Sequence, residues 1–320
     1  MALNEHERKI QDIFFQHYWG ERNRVENNQT AFAYYTTAET AYNIIKNKEI
    51  WMRNIITMND YKEFEYGREC LKDALELSNE GAGFKASLNG VFPNLFESTY
   101  QHFKSWSLGI KHDTYITCFS EHEPHNKLGR LSMWRAYGGS AGIAIVFKSN
   151  AFFNITLDGV DLSSVAYLSH ERIAAEIEKV TLAVNHNRDF VASLSEEIVS
   201  NTLFAMFRFA ALCNKHPGFE EEKEWRLVAS PLIYPSSNLK QEIEVVKSTP
   251  QKVIKLKLQN DPTNHSQEIE FSALMEKIII GPCQFPNIVF QSLVQALSDI
   301  GIEDAGHLIE VSDIPYRQPN

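Results

Sequence analysis

Thr114-Tyr-Ile-Thr-Cys-Phe-Ser-Glu121 is the stretch on which the fold turns. Its alternating β-branched and aromatic residues give the pattern of a strand with one face on a core. Downstream, Ala141-Gly-Ile-Ala-Ile-Val-Phe147 is almost wholly apolar and reads as a second, buried strand. Shorter strands are expected at Ala31 to Tyr35, Ile50 to Arg53, Trp225 to Ala229, Lys252 to Leu258, Lys277 to Gly281 and His307 to Val311. Helical spacing separates them. Thr36 or Thr37 caps a helix through Ala41, Ile44 and Ile45. An Asn59-Asp60 turn leads into a helix through Phe64, Cys70 and Leu71, and Asn287 to Ile300 forms another. Apolar residues from Ile173 to Phe207 make the run from about 170 to 214 helical. The opening residues 4 to 19 place Ile10, Ile13, Phe14, His17 and Tyr18 on one helical face, followed by a polar stretch from Gly20 to Gln29. Asn79 to Gly90, rich in Gly, Ser and Asn, reads as a loop.

Strands and helices interleave irregularly, and neither G-x-G-x-x-G nor G-x-x-x-x-G-K-[ST] occurs, so an α+β fold is expected rather than a doubly wound one. With 43% hydrophobic and 12% aromatic residues the chain has ample material for a core, which argues against disorder. A net charge of −10 removes a general positive field for coating nucleic acid, while leaving room for a local basic groove. No apolar run is long enough for a membrane span, and MALNEHERKIQDIFF lacks the basic and apolar parts of a secretory signal. Cys70, Cys118, Cys213 and Cys283 lie far apart with no CxxC pair, which suits reduced thiols in a cytoplasmic protein.

Three stretches could carry chemistry. In Glu220-Glu-Glu-Lys-Glu-Trp-Arg226, a strand over the last residues would put Glu222, Glu224 and Arg226 on one face. Paired carboxylates then raise one pKa while the arginine holds the other ionised; a solvated acidic loop is the plainer alternative. Ser120, where a strand ends, and Trp134-Arg135-Ala-Tyr137, in the polar loop expected between that strand and the next, could line an aromatic pocket holding a cation, although Trp134 and Tyr137 fit a core equally well. No G-x-S-x-G surrounds Ser120, which argues against a hydrolase nucleophile. His122 and His125, separated by Pro124, lack helical spacing and a third ligand, so no metal is expected. The third stretch is Tyr34-Tyr35-Thr36-Thr37 with Arg53, Asn59, Asp60 and Glu63, each also ordinary for an aromatic strand, a cap and a helix face.

Taken in order, these segments resemble a bacterial domain-of-unknown-function family, number 2971. The resemblance rests on Tyr34-Tyr-Thr-Thr37, Ile50-Trp51, Asn59-Asp-Tyr-Lys-Glu63, Cys118 to Glu121, Met133 to Phe147, Lys215 to Arg226, Ile278 to Pro282 and Ser312 to Arg317. It spans roughly residues 31 to 317, implying an N-terminal helical extension over 1–30 and a single α+β domain over 31–320 with a helical insertion at about 170–214. A weaker resemblance is to ADP-ribosyltransferases, through a first-strand anchor, a second strand ending in serine and a late Glu-x-Glu. It implies a mixed, mainly antiparallel split sheet with flanking helices, and NAD as substrate without a metal. Tyr34, Tyr35 and Thr36 would then anchor NAD, with Arg53 or Arg135 on the diphosphate. Ser120, Trp134 and Tyr137 would shape the nicotinamide pocket, Glu224 would be catalytic, and Glu222 would aid the acceptor. Tyr34 stands where the pattern often has histidine. The same resemblance implies a toxin or phage-defence role, an antitoxin or chaperone partner, and an RNA or protein acceptor; a non-catalytic nucleotide- or partner-binding module is the alternative.

Overall fold

The computed structural model describes residues 4–58, 62–154, 157–237, 239–259 and 270–315. Its frame is a sheet of ten strands: β1 (Ala31–Thr37), β2 (Glu49–Asn54), β3 (Tyr115–His122), β4 (Ala141–Phe147), β5 (Val160–Ser164), β6 (Glu224–Ala229), β7 (Gln241–Val246), β8 (Thr249–Lys257), β9 (Met275–Cys283) and β10 (Ile309–Val311). All strand pairs are antiparallel except β9 with β10. The helices in chain order are α1 (Glu5–Phe14), α2 (Gln16–Asn27), α3 (Ala38–Asn47), α4 (Glu63–Glu76), α5 (Asn79–Asn89), α6 (Leu95–His112), α7 (Leu131–Tyr137), α8 (Ser149–Asn154), α9 (His170–His186), α10 (Arg188–Ser193), α11 (Glu196–Leu212), α12 (Phe271–Leu274) and α13 (Pro286–Asp299). The α+β expectation holds.

The sheet forks at β3. One edge of β3 is occupied by β6 from Tyr115 to Ser120, so its other partners must share the opposite edge. There β1 pairs with Ser120 to His122, and β2 pairs with Tyr115 and Ile116. Between these pairings the two strands part: β1 continues on β4, and β2 continues on β8. Helix α3 joins them, capped by the Thr37 hydroxyl on the Thr40 amide and buried through Ala41, Ile44 and Ile45.

One sheet face, with Phe32, Phe119, Phe147, Trp225 and Ile278, packs with α3 and α13 in one core. The other face is covered in two patches. Ile116 and Val228 lie under a helical block that includes Phe64, Phe103, Ile177 and Phe207, while Ala33, Tyr35, Ala144 and Ile279 lie under Met133 and Trp134 of α7. The seam between these patches is polar and holds the candidate site.

Three expectations are corrected. Asn79 to Gly90 is helix rather than loop: the Ser78 hydroxyl caps the Gly81 amide at 2.9 Å, and Phe84 and Leu88 are buried one turn apart. Gly81 serves close packing, because a Cβ there would meet the Ala74 carbonyl oxygen at 2.3 Å. The opening helix breaks at Phe15, and most of the polar stretch from Gly20 onward is α2, held by Arg22–Glu26 and Arg24–Glu21 pairs. The segment carrying Trp134, expected in a loop between strands, is helix α7. Asn59 and Asp60, and Tyr316 and Arg317 of the closing motif, lie outside the described residues.

Candidate active site

Register fixes which side chains meet. Ser120 pairs with Glu224 across β3–β6 and with Ala33 across β1–β3, so all three point to one face. Two residues along, Cys118 pairs with Arg226, and Tyr35 continues the face of Ala33. Tyr34 and Thr36 therefore point to the opposite face, where the Tyr34 ring lies 5.9 Å from Phe119. Of the two adjacent tyrosines, Tyr35 shares the side of Ser120 and Glu224.

Glu224 is buried and engaged by two cations. Arg226 Nε donates to its Oε1 at 2.8 Å, and Lys215 Nζ donates to its Oε2 at 3.0 Å. Lys215 also meets Glu222 at 2.5 Å and Glu63 at 3.3 Å, while Arg226 Nη2 reaches Glu63 at 2.7 Å. Three carboxylates thus face two cations, leaving one negative charge uncompensated among these side chains. Burial raises the Glu224 pKa, but Arg226 and Lys215 outweigh it and hold the carboxyl well below the usual range. Burial dominates at Glu222 and raises it, against the pull of Lys215. One carboxylate held ionised and one raised is the division that the Glu-x-Glu spacing predicts, yet the geometry differs from a plain strand pair. Glu222 ends a 3₁₀ turn (Pro217–Glu222), Lys223 is left-handed at φ 43°, and β6 begins at Glu224. The two carboxylates converge through Lys215 instead of through the pleat.

Lys215 is held from outside the strands. Its amide donates to Ala166 at 2.8 Å, and the Asn214 side chain bonds the backbone of Leu168. From that same connection, the Tyr167 hydroxyl accepts the Glu224 amide at 2.8 Å. Burial, then the nearby Glu224 carboxylate, raises the Tyr167 pKa. Burial also raises the Tyr137 pKa, helped by Cys118, Glu222 and Glu224, so the end of α7 reaches the cluster. Cys118 is pushed well up by burial and by Glu224. Ser120 is 1% exposed, and its Oγ has no hydrogen-bond partner among the described residues.

The remaining expected residues are placed less centrally. Arg53 lies across the fork, bonded to Gln251 at 3.2 Å and to the Thr57 carbonyl at 2.9 Å, and burial lowers its pKa against the opposing influence of Tyr34. Arg135 is exposed on α7, and Thr36 is buried on the far face. Trp134 is 1% exposed; its ring packs on Tyr35 at 4.7 Å, and its Nε1 donates to the Leu128 carbonyl at 2.9 Å. A Cβ on Gly281 or Gly142 would come within 2.7 or 3.0 Å of that indole, so two strand glycines make its niche. Trp134 is a packed wall behind Tyr35. A narrow pocket beside Glu63 and Arg226, also lined by Ile55, Phe64 and Leu212, has about 10 Å³ of free space, room for one water. Among the described residues no group of three or more His, Cys, Asp or Glu is placed to hold a metal ion, and no helix is long and apolar enough to cross a membrane.

Fold and site together define an α+β protein with a forked sheet and a buried carboxylate–cation cluster beside the fork. Residues 133–227 match the family model described as protein of unknown function (DUF2971), a span that takes in Trp134, Tyr137, Lys215, Glu222, Glu224 and Arg226. The match supports the family resemblance read from the motifs. No curated protein and no solved structure matches the chain.

Proposed function

We propose that the chain is an NAD-dependent ADP-ribosyltransferase-like enzyme of the cytoplasm, a toxin or phage-defence effector that modifies an RNA or protein acceptor and is restrained by an antitoxin or chaperone. The observation that carries this reading is lateral order: β6, β3 and β1 are adjacent, with Glu224, Ser120 and Ala33 in one row and Tyr35 next along. Cleaving a nicotinamide–ribose bond builds oxocarbenium character, which a fixed carboxylate stabilises electrostatically. Glu224, kept ionised by Arg226 and Lys215, has that property. The orphaned Ser120 hydroxyl offers a hydrogen bond beside it, and Glu222 lies on the more exposed side for an acceptor.

The test is labelled NAD incubated with the protein and cell extract, wild type against Glu224→Gln. Free nicotinamide or labelled acceptor is expected from wild type and is reduced at least about a hundredfold in the variant. Absence of both products from wild type would overturn the enzyme reading, and transfer undiminished in Glu224→Gln would remove Glu224 from its role. Full engagement of both Glu224 oxygens by Arg226 and Lys215 favours a second reading, a non-catalytic module that binds a nucleotide or partner. Saturable NAD binding without turnover is its signature.

A further inference from the structure

Glu222 and Lys223 belong to a segment whose one aromatic ring, Phe219, lies over the Lys215 ammonium at 5.0 Å and joins none of the three cores. The 3₁₀ turn Pro217–Glu222 buries none of its residues, and Phe219 is 38% exposed. Polar ties hold it at its C-terminal end. Glu222 bonds Lys215 at 2.5 Å. The next residue, Lys223, meets Glu123 through its Nζ at 3.2 Å, and its carbonyl accepts the Glu121 amide at 2.9 Å. Arg130 spans the gap: its guanidinium donates to the Glu221 carbonyl, to the Glu121 carbonyl at 2.9 Å and to the Glu123 carboxylate at 3.2 Å. Its own amide donates to the Tyr35 hydroxyl at 2.9 Å. One residue therefore touches the segment, the end of β3 and the tyrosine beside Ser120. The left-handed Lys223 adds a strained joint of about 1 kcal/mol, a cost set by backbone φ alone.

We propose that Pro217–Lys223 is a lid over Lys215 and Glu224, and that Arg130 is the positioning residue that latches it to β3. Opening breaks hydrogen bonds and ion pairs but uncovers little apolar surface, so the segment can move without disturbing the three cores. It releases Glu222 from Lys215 and frees one of the cations on Glu224. In the ADP-ribosyl-transfer reading on which this inference rests, that movement admits NAD to a site otherwise closed.

Hydrogen exchange tests the latch without any turnover. In Arg130→Gln, amides in peptides covering 216–224 are expected to exchange about tenfold faster, with β4 and β9 peptides unchanged. Glu123→Gln, which removes only a side-chain partner, is expected to give a smaller rise in the same peptides. Glu221→Gln, whose latch atom is a backbone carbonyl, is expected to match wild type, and Arg130→Lys to fall between wild type and Arg130→Gln. Unchanged exchange at 216–224, or acceleration spread over the whole sheet, would overturn the lid. A localised rise with no NAD turnover in wild type would leave the lid standing and remove the ADP-ribosyl-transfer reading.

Discussion

Two buried glutamates sit on opposite faces of the same strand pair, and their partners differ in one respect. Glu121, directly after Ser120, faces the aromatic core: Trp225 Nε1 donates to it at 3.0 Å, and Arg24 from α2 grips both its oxygens. Glu224, directly before Trp225, faces the seam and shares Arg226 and Lys215 with Glu222 and Glu63. The first set places two carboxylates on one arginine, because Arg24 also bonds Glu21, but Arg24 and Glu21 are 39% and 33% exposed and reach water. The second holds its extra carboxylate among side chains no more than 18% exposed, with an unbonded serine hydroxyl beside it. A carboxylate whose partners reach water ties elements together; buried surplus charge next to an orphaned donor is the arrangement that a ligand can complete. The Glu121 set pins α2 to β3 and β6, whereas the Glu224 set is suited to chemistry.

The largest effect that separates the two belongs to Arg226. Replacing it with Met leaves Glu224 and Glu63 without their shared guanidinium in a buried site, and a loss of about 3–5 kcal/mol is expected in denaturant melts. A loss under about 1 kcal/mol would mean that Lys215 alone balances the cluster, and the contrast with Glu121 would collapse.

Next in size is a pH effect on the outer end of the same row. His122 pairs with Ala31 on the Ser120 face; burial and then Lys277 push its pKa down to about 4 from 6.5, with Glu123 and Glu310 pulling the other way. A histidine held neutral when folded binds its proton more readily unfolded, so its stability contribution is complete above pH 6.5 and is lost as pH falls towards 4. The expected decline is up to about 3 kcal/mol, absent in His122→Asn. Glu224, depressed below its ordinary 4.5, adds its loss only below that pH, so the acid limb below 4.5 survives in the variant. Chemical denaturation across pH 2.5 to 8 reads both windows; a curve flat from 6.5 to 4.5 in wild type would refute the buried neutral imidazole.

These contrasts also show what the residue pattern made readable. A two-residue period placed Glu224 and Arg226 on one face, because strand alternation is local, whereas Ser120 comes beside them only through the β3–β6 pairing. Lys215 stood in the right motif, but its role depends on the Ala166–Asn214 bridge that brings the end of α11 to β6, and nothing in local spacing foretells that contact. Arg130 and Tyr167 carried no signal, since each acts through a long-range contact with backbone or hydroxyl. Trp134 was ambiguous as pocket wall or core. The discriminating hint was Gly142 and Gly281 inside apolar strands, where a missing Cβ marks close approach by a large ring. Asn79 to Gly90 misled because a glycine chosen for helix contact looks the same as one chosen for freedom.

A smaller change tests the structural side of the comparison. Arg24→Ala removes the grip on Glu121 but leaves Trp225 Nε1 bonded to it, and water can reach the vacated arginine position. The expected cost is about 1–2 kcal/mol, below that of Arg226→Met because the lost partner is partly solvated. Any NAD turnover should keep its kcat in this variant once it is assayed well below its melting temperature. A kcat loss matching that of Glu224→Gln would make the Glu121 set part of the machinery.

The smallest stability effect is expected at Ser120, and it is the sharpest probe of the difference. A buried hydroxyl with no partner has already lost its water without compensation, so Ser120→Ala deletes an unsatisfied group and leaves almost no cavity. Stability should change by less than about 1 kcal/mol, or rise slightly. If the seam binds a ligand through that hydroxyl, the same substitution weakens binding by about 1 kcal/mol or more, and stability and affinity then move independently. Calorimetric titration with NAD, wild type against Ser120→Ala, reads the affinity, while thermal melts read the fold. A destabilisation above about 2 kcal/mol would mean that Ser120 is bonded in the folded protein, and the seam would then be as satisfied as the Glu121 set behind it.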